Sequence, residues 1–430
     1  MNVADSRRVA SALENLDYQP TARAEDADVI VINTCVVRQS AEDSATGRIS
    51  SLKNLKRNRP GVVINVMGCL VGVKGTRDLE KQFPHVDVFS PPSDPGPLMA
   101  FLTQEDSKAW QQEATSRRFA YMDGELTLPE ADKSRLVSAY VPVVLGCSHA
   151  CTYCIIPYRR GVERSRPAED VLNEVRSLVS QGVKEVTLLG QIVDRYGLDL
   201  PEKSSLPDLL RSIHEVDGLE RIRFLTSHPN WFSTDLMDVV AALPKLMPHI
   251  EVPHQAGHDQ VLETMKREYT IDQYRTLVKQ IRDRIPGVSI ATDVILGFPG
   301  ETPEYFQSTY DILKELRLDV VHLARYSVRP GTLAARKMED DVTDEEKWRR
   351  FRLIEELQEG IADEINQPYL GKSVKVLFEG ENKGRWRGRT PTNKLVFVES
   401  DQNLLGKLLP VNITWTGPWS MQGRVPEIGS

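Results

Sequence analysis

The feature that most constrains this chain is an alternation across its middle. Six apolar runs, "VPVVL" (141–145), "EVTLLG" (185–190), "RIRFL" (221–225), "HIEVP" (249–253), "SIATDVILG" (289–297) and "DVVHLARYSV" (319–328), alternate with helix-patterned stretches such as 168–181, 204–215 and 271–285. Runs this apolar read as buried strands, and a helix between consecutive strands lets neighbours pair in parallel. Six β/α units predict a partial barrel with its chemistry at the carboxyl ends of the strands.

The flanks read differently. Upstream lie a helix at 3–16 with Asn2 as its N-cap, the strands "DVIVINT" and "GVVINVMG", a helix over 39–58 between them, a short helix "RDLEKQF" and a third strand "VDVFS". Together they predict a small open parallel sheet at 1–104, with Cys35 and Cys69 just past two strand ends, where such sheets build sites. A doubly wound sheet ordinarily opens on a strand, so this sequence reads as starting one element late. Residues 105–136 are polar and weakly periodic, a linker. The barrel is expected to span 137–365, closing on a helix opened by a Thr343/Glu346 capping box. Residues 366–428 carry short strands between Gly, Asn and Pro turns, which predicts a small β-barrel.

Composition excludes some classes. No apolar run approaches the ~18–20 residues of a membrane span, and the first residues lack a secretory pattern. Five cysteines, an odd and small number, argue against a secreted disulfide framework. A cytoplasmic protein with no membrane partner, and a monomer, is expected. Net charge is −7, yet Asn366–Ser430 holds nine Lys/Arg against five Asp/Glu, so the tail is basic within an acidic chain.

Three of the five cysteines fall in "GCSHACTYC", residues 146–154. Cys147, Cys151 and Cys154 follow the first barrel strand directly, which puts them on a loop at the functional face. Three thiolates there can hold three irons of a 4Fe–4S cubane and leave the fourth iron open. An open iron can chelate S-adenosylmethionine, and an electron from the cluster then yields a 5′-deoxyadenosyl radical. Zinc with His149 as fourth ligand is the alternative, at a tighter spacing than zinc sites use; three buried core cysteines is another, among poor core neighbours. Cys35 and Cys69, taken alone, read equally as buried core or as functional.

The "GCSHACTYC" motif resembles that of the radical S-adenosylmethionine enzymes. "ADVIVINTCVVRQSAED", "VMGCL", "LLGQIVDRY", "TSHP", "VPHQAGHD", "DVILGFPGET" and "YSVRPGT", in order, narrow the resemblance to the methylthiotransferases. It implies an N-terminal methylthiotransferase domain, a radical domain and a C-terminal TRAM module that binds RNA. Such enzymes replace a C–H bond by C–SCH3. The resemblance implies a second, auxiliary 4Fe–4S cluster on Cys35 and Cys69. The family's first ligand cysteine would fall two residues before Met1, so that cluster is expected to be incomplete in this chain.

Around the radical centre, the resemblance places Tyr153 near the adenine of S-adenosylmethionine, against local packing as the plain alternative. Gln191 and Gln255, at strand ends, are expected to carry amides to its carboxylate or ribose. Asp293 is a carboxylate in an apolar strand and needs a ligand or a cation; Arg325 and Arg329 are candidates, or meet the methionine carboxylate themselves. His254 and His258 read as surface or packing residues. In "NKGRWRGRTPTNKLVFV", Arg385, Arg387 and Arg389 alternate around Trp386, so the three guanidinium groups share one strand face. With Trp386 and Lys394 they form the expected RNA-binding set, by phosphate contact and aromatic stacking. The tail resembles the tRNA-modifying branch, which implies the anticodon stem-loop of tRNA as substrate, at C2 of N6-isopentenyladenosine, with an external flavodoxin-type electron donor. The branches acting on threonylcarbamoyladenosine or on a ribosomal-protein aspartate are the alternatives.

Overall fold

The computed structural model describes residues 1–73, 76–104 and 126–426; residues 105–125 of the expected linker lie outside them. The N-terminal unit runs α1 (Asn2–Glu14), β1 (Val29–Thr34), α2 (Gln39–Asn58), β2 (Val63–Gly68), α3 (Arg77–Gln82), β3 (Val88–Ser90) and α4 (Gly96–Thr103). Its strands form a parallel sheet in the order β1-β2-β3, with Thr34 level with Gly68. Asn2 is not the cap of α1: Met1 precedes the helix, and the Asn2 amide donates to the Thr34 carbonyl at 3.0 Å.

The radical domain holds β4 (Ser138–Pro142), β5 (Val144–Leu145), α5 (Ile156–Arg160), β6 (Arg164–Ser165), α6 (Ala168–Ser180), β7 (Glu185–Leu189), α7 (Leu206–His214), β8 (Arg221–Leu225), α8 (Thr234–Ala242), β9 (His249–Glu251), α9 (Asp259–Met265), α10 (Ile271–Arg284), β10 (Ser289–Leu296), α11 (Pro303–Leu316) and β11 (Val320–Arg325). Parallel sheets β4-β7-β8 and β9-β10-β11 meet at an Ile222–Leu246 bridge and a Ser227 N–H to Glu251 carbonyl bond of 3.0 Å, giving six strands in the expected order. The run 141–145 splits: its first half joins the barrel as β4, and its second, β5, pairs antiparallel with β6. Strand faces alternate in purpose. In β10, Thr292, Val294 and Leu296 are buried beneath the helices, whereas Asp293 and Ile295, on the inner face, remain partly accessible.

α12 (Leu333–Lys337) leads to α13 (Asp344–Asn366), which covers β10 and β11. Only half of the capping box forms: Thr343 accepts from the Glu346 N–H, while the Glu346 carboxylate is drawn to Arg349 and Arg350. A guanidinium outcompetes a single backbone N–H for a carboxylate. The tail is a closed five-stranded barrel, β12 (Ser373–Asn382), β13 (Arg385–Arg389), β14 (Leu395–Val398), β16 (Met421–Arg424) and β15 (Leu408–Thr416), around Val376, Phe378, Val396, Val411 and Met421. No helix among the described residues is long and apolar enough to cross a membrane.

Two buried polar seams lock the units together. Glu174 of α6 accepts from Arg8 of α1 and from Arg166, each at 2.5 Å. At the amino end of the barrel strands, Arg223 binds Glu185 at 3.0 Å and donates to the Thr390 and Pro391 carbonyls at 2.9 Å. Arg221 donates to the Arg389 carbonyl at 2.7 Å, and Lys394 pairs with Asp319 at 2.8 Å. The 389–394 turn of the small barrel thus plugs the floor of the large one.

Candidate active site at the barrel mouth

The cysteine loop is held from three sides. Gly146 adopts φ +68°, and a Cβ there would stand 2.1 Å from the Val162 carbonyl oxygen, so only glycine lets the loop leave β5 this way. The Cys147 N–H bonds to the Gly161 carbonyl at 3.1 Å, and the Cys154 N–H to that of Cys151 at 3.1 Å. Thr152 ties the loop to the end of α9 through the Thr264 and Met265 carbonyls and accepts from the Ala334 N–H at 2.9 Å. Arg267, buried, points a guanidinium nitrogen to within 3.4 Å of the Cys151 sulfur.

Thiols in this loop differ electrically. Burial pushes Cys147 up to about 11 and Cys154 up to about 12. Burial also pushes Cys151 upward, but a hydrogen bond from His149 and the Arg267 charge outweigh it and hold the thiol at about 7. Cys151 is therefore the thiolate that forms first. His149 lies edge-on to His228 and Trp231, with ring centroids 4.8 and 5.5 Å away. Among the described residues no three His, Cys, Asp or Glu side chains converge tightly enough for a single metal ion. A cubane gives each thiolate its own iron and needs no such convergence.

Tyr153 packs edge-on against Phe298 at 6.3 Å, beside the loop. Gln191 follows β7, and Gln255 forms an isolated bridge to Val294 at the end of β10. Gln255 and Thr226 both take positive φ, 71° and 69°, in residues that ordinarily avoid it. Left-handed non-glycine backbone of this kind gathers at functional sites. Thr226 donates to Glu251, whose carboxyl burial and then the Asp293 charge raise to about 7. Asp293 is likewise raised, chiefly by burial. Neither arginine proposed for it arrives. Arg329 binds Glu42 at 3.0 Å, Gln39 and Ser327, and Arg325 lies over the Trp348 ring at 3.8 Å. Among the described residues no ion pair within 4 Å reaches Asp293; His322, Arg38 and Arg267 pull its carboxyl down but burial outweighs them, so the mouth keeps two carboxyl groups raised above their ordinary range.

In the N-terminal sheet, Cys35 and Cys69 follow the paired ends of β1 and β2, where Thr34 lies level with Gly68. Thr34 joins the two strand ends: its hydroxyl donates to the Met67 carbonyl at 2.7 Å and accepts from the Leu70 N–H at 3.1 Å. Cys69 is buried and Cys35 half-buried; burial pushes the Cys69 thiol up, and Arg160 opposes it.

In the tail, β13 pairs with β14 without a bulge, so Arg385, Arg387 and Arg389 share a face as alternation requires. Trp386, expected to stack on RNA, instead packs against the small-barrel core and donates to the Ser400 carbonyl at 3.1 Å, and Arg385 lies over the Phe397 ring at 4.9 Å. Arg387 is exposed, but Arg389 and Lys394 end at the plugged floor, where Lys394 is buried. His254 stacks on Tyr274 and His258 on Tyr305, so both are packing residues.

Comparison with known proteins follows the same three parts. Residues 1–90 match Uncharacterized protein family UPF0004, 141–313 the Radical SAM superfamily and 367–425 the TRAM domain. A tRNA-2-methylthio-N(6)-dimethylallyladenosine synthase from Chloroflexus aurantiacus is 45% identical over 100% of this chain and 90% of its own length. The enzyme of the same name from Herpetosiphon aurantiacus is 46% identical over 99% and 95%. The chain belongs to this synthase family. A radical S-adenosylmethionine methyltransferase from Kitasatospora setae, solved with cobalamin and a 4Fe–4S cluster, shares the fold at a TM-score of 0.56 and 16% identity, over 77% of this chain and 73% of that one. The family's cofactors are a 4Fe–4S cluster and S-adenosylmethionine, and the 147–154 loop offers the donor set such a cluster needs.

Sequence reasoning missed Arg267, Arg160, Thr226, Glu251 and the half-buried Asp194, whose carboxyl is raised to about 7 by desolvation. "TSHP", quoted only as a family likeness, held the signal for Thr226 and His228; nothing local marked the two arginines.

Proposed function

We propose that this chain replaces the C2 hydrogen of N6-dimethylallyladenosine in the anticodon stem-loop of tRNA by a methylthio group. The observation that carries this is the three-cysteine loop at the barrel mouth, in a chain whose relatives bearing that enzyme name match it over 98–100% of its own length. C2 of adenine has no acidic proton and resists ordinary nucleophiles, so a radical route suits it. When bound, a 4Fe–4S cluster supplies the electron that splits the sulfonium of S-adenosylmethionine.

The chain's residues have separable tasks in this reading. Cys147, Cys151 and Cys154 hold three irons, and Arg267 stabilises the Cys151 thiolate. Gln191, Gln255, Glu251 and Asp293 present amide and carboxylate oxygens toward the cosubstrate's hydroxyl and ammonium groups, and Tyr153 borders its adenine. Cys35 and Cys69 would supply two of the ligands of an auxiliary 4Fe–4S group, which would handle the incoming sulfur. Arg385 and Arg387 contact phosphate on the exposed part of the tail. A monomer in the cytoplasm, drawing electrons from a flavodoxin-type donor, completes the reading.

The test is anaerobic incubation of the reconstituted chain with S-adenosylmethionine, a reductant and tRNA lacking methylthio groups, followed by nucleoside mass spectrometry. A methylthio mass on dimethylallyladenosine is expected. The same mass on threonylcarbamoyladenosine, or none while 5′-deoxyadenosine is released, overturns the proposal.

A further inference from the structure

Most buried arginines of this chain end on a carboxylate. Arg8, Arg166, Arg223, Arg329 and Arg350 each lie within 3.0 Å of a Glu oxygen. Arg267 is buried as they are, yet among the described residues no ion pair within 4.0 Å reaches it. Its three nitrogens go elsewhere. Nη1 donates to the Cys151 Sγ at 3.4 Å, Nη2 to the Pro253 carbonyl at 3.2 Å, and Nε to the Tyr269 hydroxyl at 3.4 Å. A carbonyl carries no net charge and a phenol is neutral at physiological pH. The sulfur is the one acceptor of the three that becomes an anion when iron binds, because the thiolate is the ligand. A buried guanidinium without an anion is costly, so this one is built for a charge that arrives at Cys151. The backbone fixes its aim. α9 ends in Lys266 at φ 57°, and the Arg267 N–H returns to the Leu262 carbonyl at 2.9 Å. The same turn grips the cysteine loop: Thr152 donates to the Thr264 and Met265 carbonyls at 3.0 and 3.1 Å. The Tyr269 hydroxyl, donating to the His254 carbonyl at 2.7 Å, holds the far side of the guanidinium.

We propose that Arg267 is a positioning residue of the radical site, whose guanidinium is the resident counter-charge of the iron–sulfur group on Cys147, Cys151 and Cys154 and raises its reduction potential. The proposal rests on the reading of these three cysteines as iron ligands, and goes beyond it in naming what sets the potential. An iron–sulfur group on thiolates is anionic and gains a further negative charge on reduction; its potential follows net charge and hydrogen bonds to sulfur. Arg267 supplies both at one sulfur. Its charge is not offset by a carboxylate, so it stabilises the reduced form more than the oxidised one. Arg195 makes the contrast. It lies over the Trp231 ring at 4.4 Å, and Trp231 packs against Cys147, Ile156 and Ile192. However, Glu163 offsets the Arg195 charge at 2.8 Å.

The experiment uses the full chain with Cys35→Ala and Cys69→Ala combined, reconstituted anaerobically with iron and sulfide, so that only the group on the 147–154 loop is observed. Iron content and a redox titration followed by electron paramagnetic resonance are measured in this background and with Arg267→Gln, Arg267→Lys or Arg195→Gln added. Arg267→Gln is expected to lower the midpoint potential, Arg267→Lys to keep most of it, and Arg195→Gln to leave it in place. Loss of iron from Arg267→Gln with retention in Arg267→Lys supports the proposal equally. A retained group with an unshifted potential in Arg267→Gln, an equal shift in Arg195→Gln, or equal iron loss from both Arg267 variants refutes the role of Arg267 alone. No iron uptake by the background chain refutes the ligand reading itself, and the proposal falls with it.

Discussion

Both ends of the radical barrel are polar, but they are polar in opposite ways. At the floor, Glu185, Arg223, Arg221, Asp319, Lys394 and the carbonyls of residues 389–391 satisfy one another, and the small barrel seals them from water. At the mouth, Glu251 and Asp293 are raised by burial, and the cations expected there serve other partners. A buried charge that is paired is architecture; a buried charge left short of a partner is held for something that arrives. The distinction separates which ionisable residues hold the molecule together from which ones do its chemistry, and it can be broken by removing one charge at each end.

The floor should show the larger effect. Glu185→Gln removes the counterion of Arg223, whose side chain and that of Glu185 are each 3% exposed. Breaking a buried pair from one side costs about 3–5 kcal/mol, because the remaining charge is stranded. Denaturant unfolding should show this loss, with undocking of the small barrel visible as protease cleavage near residues 366–372. A variant as stable as the parent would mean that the floor pairs are not holding the domains.

At the mouth, the same substitution should act with the opposite sign. The Glu251 carboxyl titrates at about 7 in the folded chain against 4.5 ordinarily. Between these values the folded state holds a proton that the unfolded state has lost. The stability from that proton is therefore fully present below about pH 4.5 and is lost as pH rises through about 7. Glutamine has no proton to lose. In the metal-free chain, Glu251→Gln should match the parent at pH 4 and exceed it at pH 8 by on the order of 2 kcal/mol, discounted for partial exposure. Methylthio product formation should fall in the same variant. Thermal unfolding curves that separate equally at both pH values would place Glu251 among the structural charges.

These two ends were not equally legible in the sequence. The barrel strands were, because strands covered on both faces carry unbroken apolar runs, and the three-cysteine loop was, because its ligands are local. What stayed hidden depends on partners far along the chain. Arg267 reaches Cys151 across 116 positions. It does so because Lys266 and Glu268 take φ of 57° and 60° and turn an ordinary-looking Lys-Arg-Glu run inward. Arg329 was expected at Asp293, but Glu42, 287 positions earlier, claims it. Alternation along β13 correctly put three arginines on one face; it carried no sign that another domain occupies one end of that face. Asn2 and Glu346 show the same limit on a small scale, each drawn from its cap position by a partner that local spacing does not reveal.

The smallest effect sharpens that last point, since the basic strip of the tail crosses from exposed surface to plugged floor. Arg387 is exposed and lies midway along β13, whereas Lys394 is buried against Asp319 at 2.8 Å. A side chain in contact with phosphate releases counterions when RNA binds, so its removal lowers the slope of log affinity against log salt by about 0.7–0.9. Arg387→Ala should therefore weaken tRNA binding and flatten the salt dependence by roughly one contact, with unfolding unchanged within about 0.5 kcal/mol. Lys394→Ala should leave the slope where it is and instead lower stability, since it strands Asp319 at the domain junction. Filter-binding titrations across a salt series, paired with unfolding curves for both variants, read the two outcomes separately. Equal flattening by the two substitutions would show that RNA reaches the turn at 389–394, and that the floor opens when tRNA binds.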